Sequence, residues 1–365
     1  MAKVVVIGGG YGGITVAKGL DSVADVVLIE QRDQFVHHAA ALRAAVDDVW
    51  GNAIFMPYSY LMQRGQVVHG TVSRVEGTTV HVFGQEPIEA DYVVLATGSN
   101  YAFPAKHTDG SNKVAKARIE QLHESLQHAD SALLLGAGTV GLELAGELAH
   151  AYPHMHIEIV EKEGEILPNP GYTAEFRHEI EEQIAKLDVK VHLNTRLAVR
   201  PPTAVGELGH FEVTTTSGDS IEADIWFQCY GSTTATGYLA GTEYQDLLTR
   251  DGTIQVEPTL QVVGHPHVYA VGDITNIDDS KRADVARQQA RVAIANIANQ
   301  IDGGTPDVMY ESSKEWVVVP LGPNGGASQL LDSHGRTRIV GAEQTAEIKG
   351  ADLMVSVIRS QLNLP

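Results

Sequence analysis

Cysteine is what this sequence has least of: one residue, Cys229, in 365. A lone cysteine excludes an internal disulfide, and with it any redox chemistry that needs a thiol pair. Cys229 sits in the run Ile225-Trp226-Phe227-Gln228-Cys229-Tyr230, which reads as a buried strand. An inert core thiol is therefore favoured over a reactive one. Basic residues are also scarce, 26 against 46 acidic, for a net charge of −20. That balance argues against nucleic acid and against electrostatic docking on anionic lipid. No apolar run approaches the roughly 18 residues a membrane-spanning helix needs. The first glycine motif starts at Gly8, so no secretory signal is expected ahead of it, and Met1-Ala2-Lys3 lacks the glycine of a myristoylation signal. A reducing, cytoplasmic setting is the expectation, with peripheral contact at the inner face of a membrane left open. Glycine, by contrast, is plentiful at 36 residues, above the usual fraction of about 7%.

The length suits two or three domains. Lys3–Ile7 is a short β-branched run ending in glycine, the pattern of a buried parallel strand. A helix is expected from about Gly13 to Leu20 and a second strand over Asp25–Glu30, together a βαβ unit. The pattern recurs: strand Ser131–Leu135, glycine turn, helix Val140–His150, strand His156–Glu161. Between the units lie hairpin-like segments (Gln66–Val75 and Thr79–Phe83) and the strand Tyr92–Ala96. Further strands are expected around Lys190–Leu193, His210–Thr216, Asp224–Tyr230 and Val268–Val271. A long helix should run from Ala283 to about Ile301. Beyond the Gly-Gly-Thr-Pro linker at 303–306, Glu315–Val319 and Arg338–Gly341 look like strands before an amphipathic end.

Gly8-Gly9-Gly10-Tyr11-Gly12-Gly13 matches G-x-G-x-x-G. Gly8 permits the tight turn, Gly10 lets backbone approach a pyrophosphate, and Gly13 allows close helix–strand packing. The helix that follows offers free N–H groups and a positive dipole end to phosphates. Glu30, with Gln31 beside it, ends the next strand, where a carboxylate can accept from an adenosine ribose. Gly136-Ala137-Gly138-Thr139-Val140-Gly141 repeats the motif, and Glu161 ends its following strand. A carboxylate there suits a ribose 2′-OH and repels a 2′-phosphate, which favours NADH, with NADPH left open by the neighbouring Lys162. Ala96-Thr97-Gly98-Ser99 and Gly272-Asp273 close two further strands; each alone is ordinary turn chemistry.

The order of fingerprint, Ala-Thr-Gly, fingerprint and Gly-Asp resembles the two-dinucleotide-binding-domain flavoproteins, which have the pyridine nucleotide-disulfide reductase fold. That resemblance covers essentially the whole chain. It implies an α/β fold class: two Rossmann-like three-layer domains, glutathione-reductase-like, plus a small α+β C-terminal domain. Residues 1–107 and 236–303 would bind FAD, 108–235 NAD(P)H, and 304–365 would serve acceptor or interface roles. Asp273 would then hold the ribityl chain. The segment Phe35-Val36-His37-His38-Ala39-Ala40-Ala41-Leu42-Arg43-Ala44 resembles the ferroptosis-suppressor and apoptosis-inducing-factor-homologue branch, related to type II NADH dehydrogenases. This implies a quinone-type acceptor, Arg43 on an FAD phosphate and Val67 on the adenine side. Where animal members of that branch carry Trp-Lys, this chain has Arg359-Ser360.

The resemblance also implies that Glu143 meets the nicotinamide; otherwise it is an ordinary helix carboxylate. Ala283 should open a helix whose N–H groups face the reduced flavin, with Arg282 assisting or simply solvated. Lys106 is a candidate for the flavin edge. Gln288 and Gln289, with Trp316–Pro320 as apolar wall, are candidates for the acceptor site, core packing being the rival for Trp316. His37 and His38 suit local packing as well as a redox role. No metal site is expected, and oligomeric state is open. Two other functions compete: reduction of an iron–sulfur protein partner, and slow-turnover NADH sensing of the apoptosis-inducing-factor type.

Overall fold

The computed structural model describes residues 1–312 and 314–365. Its centre is a six-stranded sheet ordered Gln261–Val262, His265–Ala270, Tyr92–Leu95, Lys3–Ile7, Asp25–Glu30, Gln66–His69. All neighbours are parallel except the first two. Within Lys3–Ile7, Val4–Ile7 is unbroken apolar because both faces of the strand are covered. Val4 and Val6 enter one core with Ile14, Leu28, Val94 and Ala290, while Val5 and Ile7 enter another with Val27, Val80 and Val93.

The supposed hairpin is divided. Gln66–His69 joins the large sheet, and past Gly70 the chain pairs Val72–Glu76 with Thr79–Val82 and Ile88–Glu89 in a separate antiparallel sheet. Alternation of side chains cannot tell which partner a strand takes.

The second unit is a four-stranded parallel sheet, Lys190–His192, His156–Val160, Ser131–Leu135, Ile225–Gln228. Leu134, Ile159 and Phe227 point to one core, and Leu133, Val160 and Trp226 to the other. The chain leaves the first sheet after Tyr92–Leu95 and returns beside its own exit, where Ser99–Asn100 pairs antiparallel with Thr233–Thr234.

Helix Ala283–Ile301 lies against helix Tyr11–Leu20. Gly12 faces Val271 and Ala286, and Gly19 faces Ile294, so small residues let the two helices close up. The C-terminal strands Val317–Leu321, Gly325–Leu331 and Thr337–Val340 form an antiparallel sheet. Next come helix Ala342–Thr345, a π-helical turn Ala346–Gly350 and helix Val355–Gln361. Lys18 Nζ holds the chain end, donating to the Gln361 carbonyl and to Asn363 Oδ1, each at 2.7 Å. No helix among the described residues is long and apolar enough to cross a membrane.

Candidate active site

Both fingerprints fold into the same cradle. Gly8 and Gly136 take φ of +101° and +110°, the left-handed side that a tight strand-to-helix turn demands. The third glycines bring each helix close onto the strand ends, as expected of them. A methyl group on Gly13 would be driven into the Gly8 carbonyl oxygen, and one on Gly141 into that of Gly136. The helices begin at Tyr11 and Thr139, earlier than residue propensity suggests, with Gly10 and Gly138 as N-caps lacking any side-chain cap bond. Around Gly10 and Gly138 a Cβ would meet nothing within 4 Å. Each turn therefore presents free N–H groups to open space, the arrangement a pyrophosphate needs.

A buried carboxylate latches each turn. Glu30 accepts from the N–H of Gly9 and, on its other oxygen, from the Arg32 N–H at 3.0 Å and Arg32 Nε at 2.9 Å. Burial pushes its pKa up, but Arg32 and these bonds outweigh burial and hold it below the ordinary value. Glu161 likewise accepts from Ala137 N–H at 2.7 Å and Glu163 N–H at 2.9 Å. Glu30 Oε2 and both Glu161 oxygens keep a lone pair for a ribose hydroxyl, while Glu30 Oε1 is filled by Arg32. Lys162 pairs with Glu163 at 3.1 Å, away from that carboxylate.

Asp273, Lys106 and Ser99 meet in one cluster. Lys106 Nζ donates to the Ser99 carbonyl at 2.8 Å, Ser99 Oγ at 2.7 Å and Asp273 Oδ2 at 3.2 Å, and Ser99 Oγ also donates to Asp273. Thr97 Oγ1 donates to the Ala235 carbonyl at 2.7 Å, and Gly98 O accepts from Ala235 N–H, so this turn locks onto the returning chain. Gly272 N–H is taken by Gln289 Oε1 at 2.7 Å. Gln31 is exposed, and its carbonyl accepts from His69. Val67 pairs with Leu28 on the outermost strand, half-exposed.

Several expectations are corrected. Arg43 does not face a cradle. Its Nε and Nη2 donate to buried Glu147 at 3.0 and 2.8 Å, and Nη1 donates to the Gly350 carbonyl at 2.6 Å. Arg282 turns from the start of the Ala283 helix toward Asp284, Glu315 and the Trp316 carbonyl, its guanidinium 4.8 Å over the Trp316 ring. The Ala283 N-terminus itself carries no side-chain cap. Gln289 is 1% exposed and its Oε1 is committed to the Gly272 N–H, whereas Gln288 is half-buried. Val317, Val319 and Leu321 lie in the core shared with helix Thr139–Ala151, whose Gly146 meets the Leu321 backbone. They hold the C-terminal sheet in place, while Trp316, at the start of the expected wall, lies half-buried under the Arg282 guanidinium.

Glu143 has a partner that sequence inspection missed. Lys349 Nζ reaches its two oxygens at 2.9 and 3.0 Å. Burial pushes the Glu143 pKa up; Lys349 pulls it down and Glu147 pushes it up again, leaving it raised overall. Lys349 lies on the π turn, ten residues before Arg359. Tyr11, inside the first fingerprint, donates its hydroxyl to His37 Nδ1 at 3.0 Å while accepting from Ala39 N–H, and His37 Nε2 donates to the Leu353 carbonyl at 2.7 Å. His37 is a neutral connector between the first cradle and the C-terminal segment, its pKa pushed down to about 4, chiefly by burial.

The sequence pattern of a family described as pyridine nucleotide-disulphide oxidoreductase matches residues 2–294. Apoptosis-inducing factor homolog B of Dictyostelium discoideum is 29% identical over 383 residues, covering 100% of this chain and 97% of that protein. Human ferroptosis suppressor protein 1 is 28% identical over 364 residues, covering 97% of this chain and 94% of its own. Among solved structures, the sulfide:quinone oxidoreductase of Aquifex aeolicus aligns with a TM-score of 0.76 at 16% identity, covering 100% of this chain and 92% of that one. NDH2 of Plasmodium falciparum in complex with NADH aligns at 0.74 and 13% identity, covering 100% and 95%. At those identities the two structures speak to fold alone.

Proposed function

Because the chain belongs to the pyridine nucleotide-disulphide oxidoreductase family, we propose that it is an FAD-dependent enzyme that oxidises NADH and reduces a quinone-type acceptor without a redox disulfide. The repeated cradle carries this reading: two glycine turns, each with an open backbone face and a buried carboxylate latch, in one chain with a single cysteine.

The first cradle, with Glu30 and the Asp273–Lys106–Ser99 cluster, is the FAD side, and the second, with Glu161, the NADH side. We divide the chain accordingly into 1–107 with 236–303, 108–235, and 304–365. When bound, the flavin supplies the hydride and electron transfer. The chain's residues bind and orient. Gly10 and Gly138 leave room for phosphates against helix N-termini, Glu161 accepts from a ribose and repels a 2′-phosphate, and Lys106 fixes the Asp273 carboxylate. Glu143 and Lys349 place a coupled carboxylate and ammonium one turn into the second helix, on the nicotinamide side of the cradle. The quinone assignment is supported by the resemblance of Phe35–Ala44 to ferroptosis-suppressor proteins and their relation to type II NADH dehydrogenases.

The test is anaerobic mixing of the yellow protein with NADH or NADPH, followed by a soluble quinone. Rapid bleaching by NADH, slower bleaching by NADPH and rapid reoxidation by quinone are expected. Reoxidation only by an added iron–sulfur protein would replace the acceptor. A long-lived reduced complex that neither acceptor discharges would replace the enzyme with a sensor.

A further inference from the structure

Glu143 and Glu147 stand one turn apart on a single face of helix Thr139–Ala151. Their partners are also adjacent. Lys349 meets Glu143, and the next residue, Gly350, offers its carbonyl to the guanidinium that holds Glu147. Arg43 thus touches the second-unit helix and the C-terminal turn at once, from a short helix, Ala41–Ala44, of the first unit. The pair is closed to water, with side-chain exposures of 6% for Arg43 and 4% for Glu147.

The turn that carries Lys349 needs outside support. Ala346–Gly350 is π-helical, a rare winding found mostly as single turns and frequently at functional sites. Shortly after it, Leu353 and Met354 both take the left-handed region, at φ of 48° and 63°. Such backbone persists only when its surroundings hold it. Two donors do so: Arg43 Nη1 on Gly350 O, and His37 Nε2 on Leu353 O at 2.7 Å.

We propose that Arg43 and Glu147 are positioning residues: their buried pair fixes the turn bearing Lys349 and so keeps the Lys349 ammonium on Glu143. The claim rests on the oxidoreductase reading above for the use made of Glu143, but on geometry alone for the clamp. Its electrostatic side follows from what faces Glu143: Lys349 from the C-terminal turn, Glu147 from its own helix, Arg43 from the first unit, and Tyr172 from the segment before helix Ala174–Lys186. Remove Arg43, and Glu147 becomes an uncompensated anion one turn away, competing with Glu143 for the ammonium.

Two readouts test this in the holoprotein. The first is amide hydrogen exchange over residues 346–353; the second is the pH profile of flavin reduction at saturating NADH. Arg43→Met should speed that exchange by about tenfold or more and move the profile upward in pH. Arg43→Lys should bring the profile most of the way back, since it restores the charge, while exchange stays fast, because one ammonium cannot span Glu147 and Gly350. In Glu147→Gln the guanidinium loses its ionic anchor, so exchange rises, and the anion that raises Glu143 is gone while Arg43 stays, so the profile moves down in pH rather than up. If Arg43→Met does not fold, the Arg43→Lys and Glu147→Gln pair carries the test. Folded variants with wild-type exchange at 346–353 would overturn the proposal, as would faster exchange in Arg43→Met with an unmoved pH profile. A wild-type protein that NADH cannot reduce would defeat the oxidoreductase reading, and the exchange data would still decide the clamp.

Discussion

Glu143 sits between two opposing charges. Burial and Glu147 favour its protonated form, while Lys349 favours the carboxylate, and the balance leaves the group raised above its ordinary value of 4.5. Lys349→Met removes the stabilising cation, so the midpoint of flavin reduction against pH should move further up. Glu143→Gln should erase that midpoint and slow reduction by one to two orders of magnitude, about the weight of one positioned charged group. Stopped-flow reduction from pH 5 to 9 checks both, and a midpoint unmoved in Lys349→Met would exclude Glu143 as its source. Cys229 makes a simpler case. Burial pushes its thiol up to about 12, so at neutral pH it is neither thiolate nor reachable. Folded protein should resist iodoacetamide for hours and react with one equivalent once denatured; modification of the folded form at a free-thiol rate would contradict its placement under the second glycine turn.

The elements show what a sequence pattern can and cannot reveal. A fingerprint turn is largely local: Gly13 answers to the Gly8 carbonyl and Gly141 to that of Gly136, within the same six residues, so their roles are readable. Gly141→Ala therefore has a definite expected effect. The added methyl collides with the Gly136 carbonyl, which should weaken NADH binding at least tenfold (roughly 1.4 kcal/mol) while FAD content stays unchanged. Titration of NADH against the purified holoprotein decides it, and equal loss of both nucleotides would count against the assignment of cradles. Contacts made across the chain were not readable. Lys349 lies 206 residues from Glu143, and Glu147 lies 104 from Arg43. Of the acceptor candidates Gln289 and Trp316–Pro320, burial of Gln289, Val317 and Val319 was hidden for the same reason. A polar or apolar face on one element announces burial or contact without naming what it contacts, and both turned out to serve packing. Helix Ala283–Ile301 was legible to its last residue because 19 residues of periodic pattern leave little room for another answer.

For the molecule as a whole, three histidines set the response to acid. Burial pushes His37 and His107 down to about 4, and His38 well below its usual 6.5. The folded state therefore prefers the neutral rings, and unfolded chains take up protons first. Stability from these groups is complete above pH 6.5 and drains away as pH falls from there toward 4. His37 and His107 each account for on the order of 3 kcal/mol across that interval. The carboxylate surplus titrates mostly below it, so relief of acidic self-repulsion comes too late to compensate. Melting temperature should drop steeply between pH 6.5 and 4.5, and His107→Asn should flatten the slope. A level curve in the wild-type protein would refute this.

The antiparallel ribbon of Ser99–Asn100 and Thr233–Thr234 has a genealogical consequence. A long stretch of polypeptide that departs and re-enters at one seam imposes no spacing demand on its host. Such a cassette can be grafted, exchanged for a cousin with different nucleotide taste, or lengthened, while the strands on either side keep their pairing. A chimera of this protein should be cut just beyond that seam, after residues 107 and 235, so that Lys106 stays with Asp273.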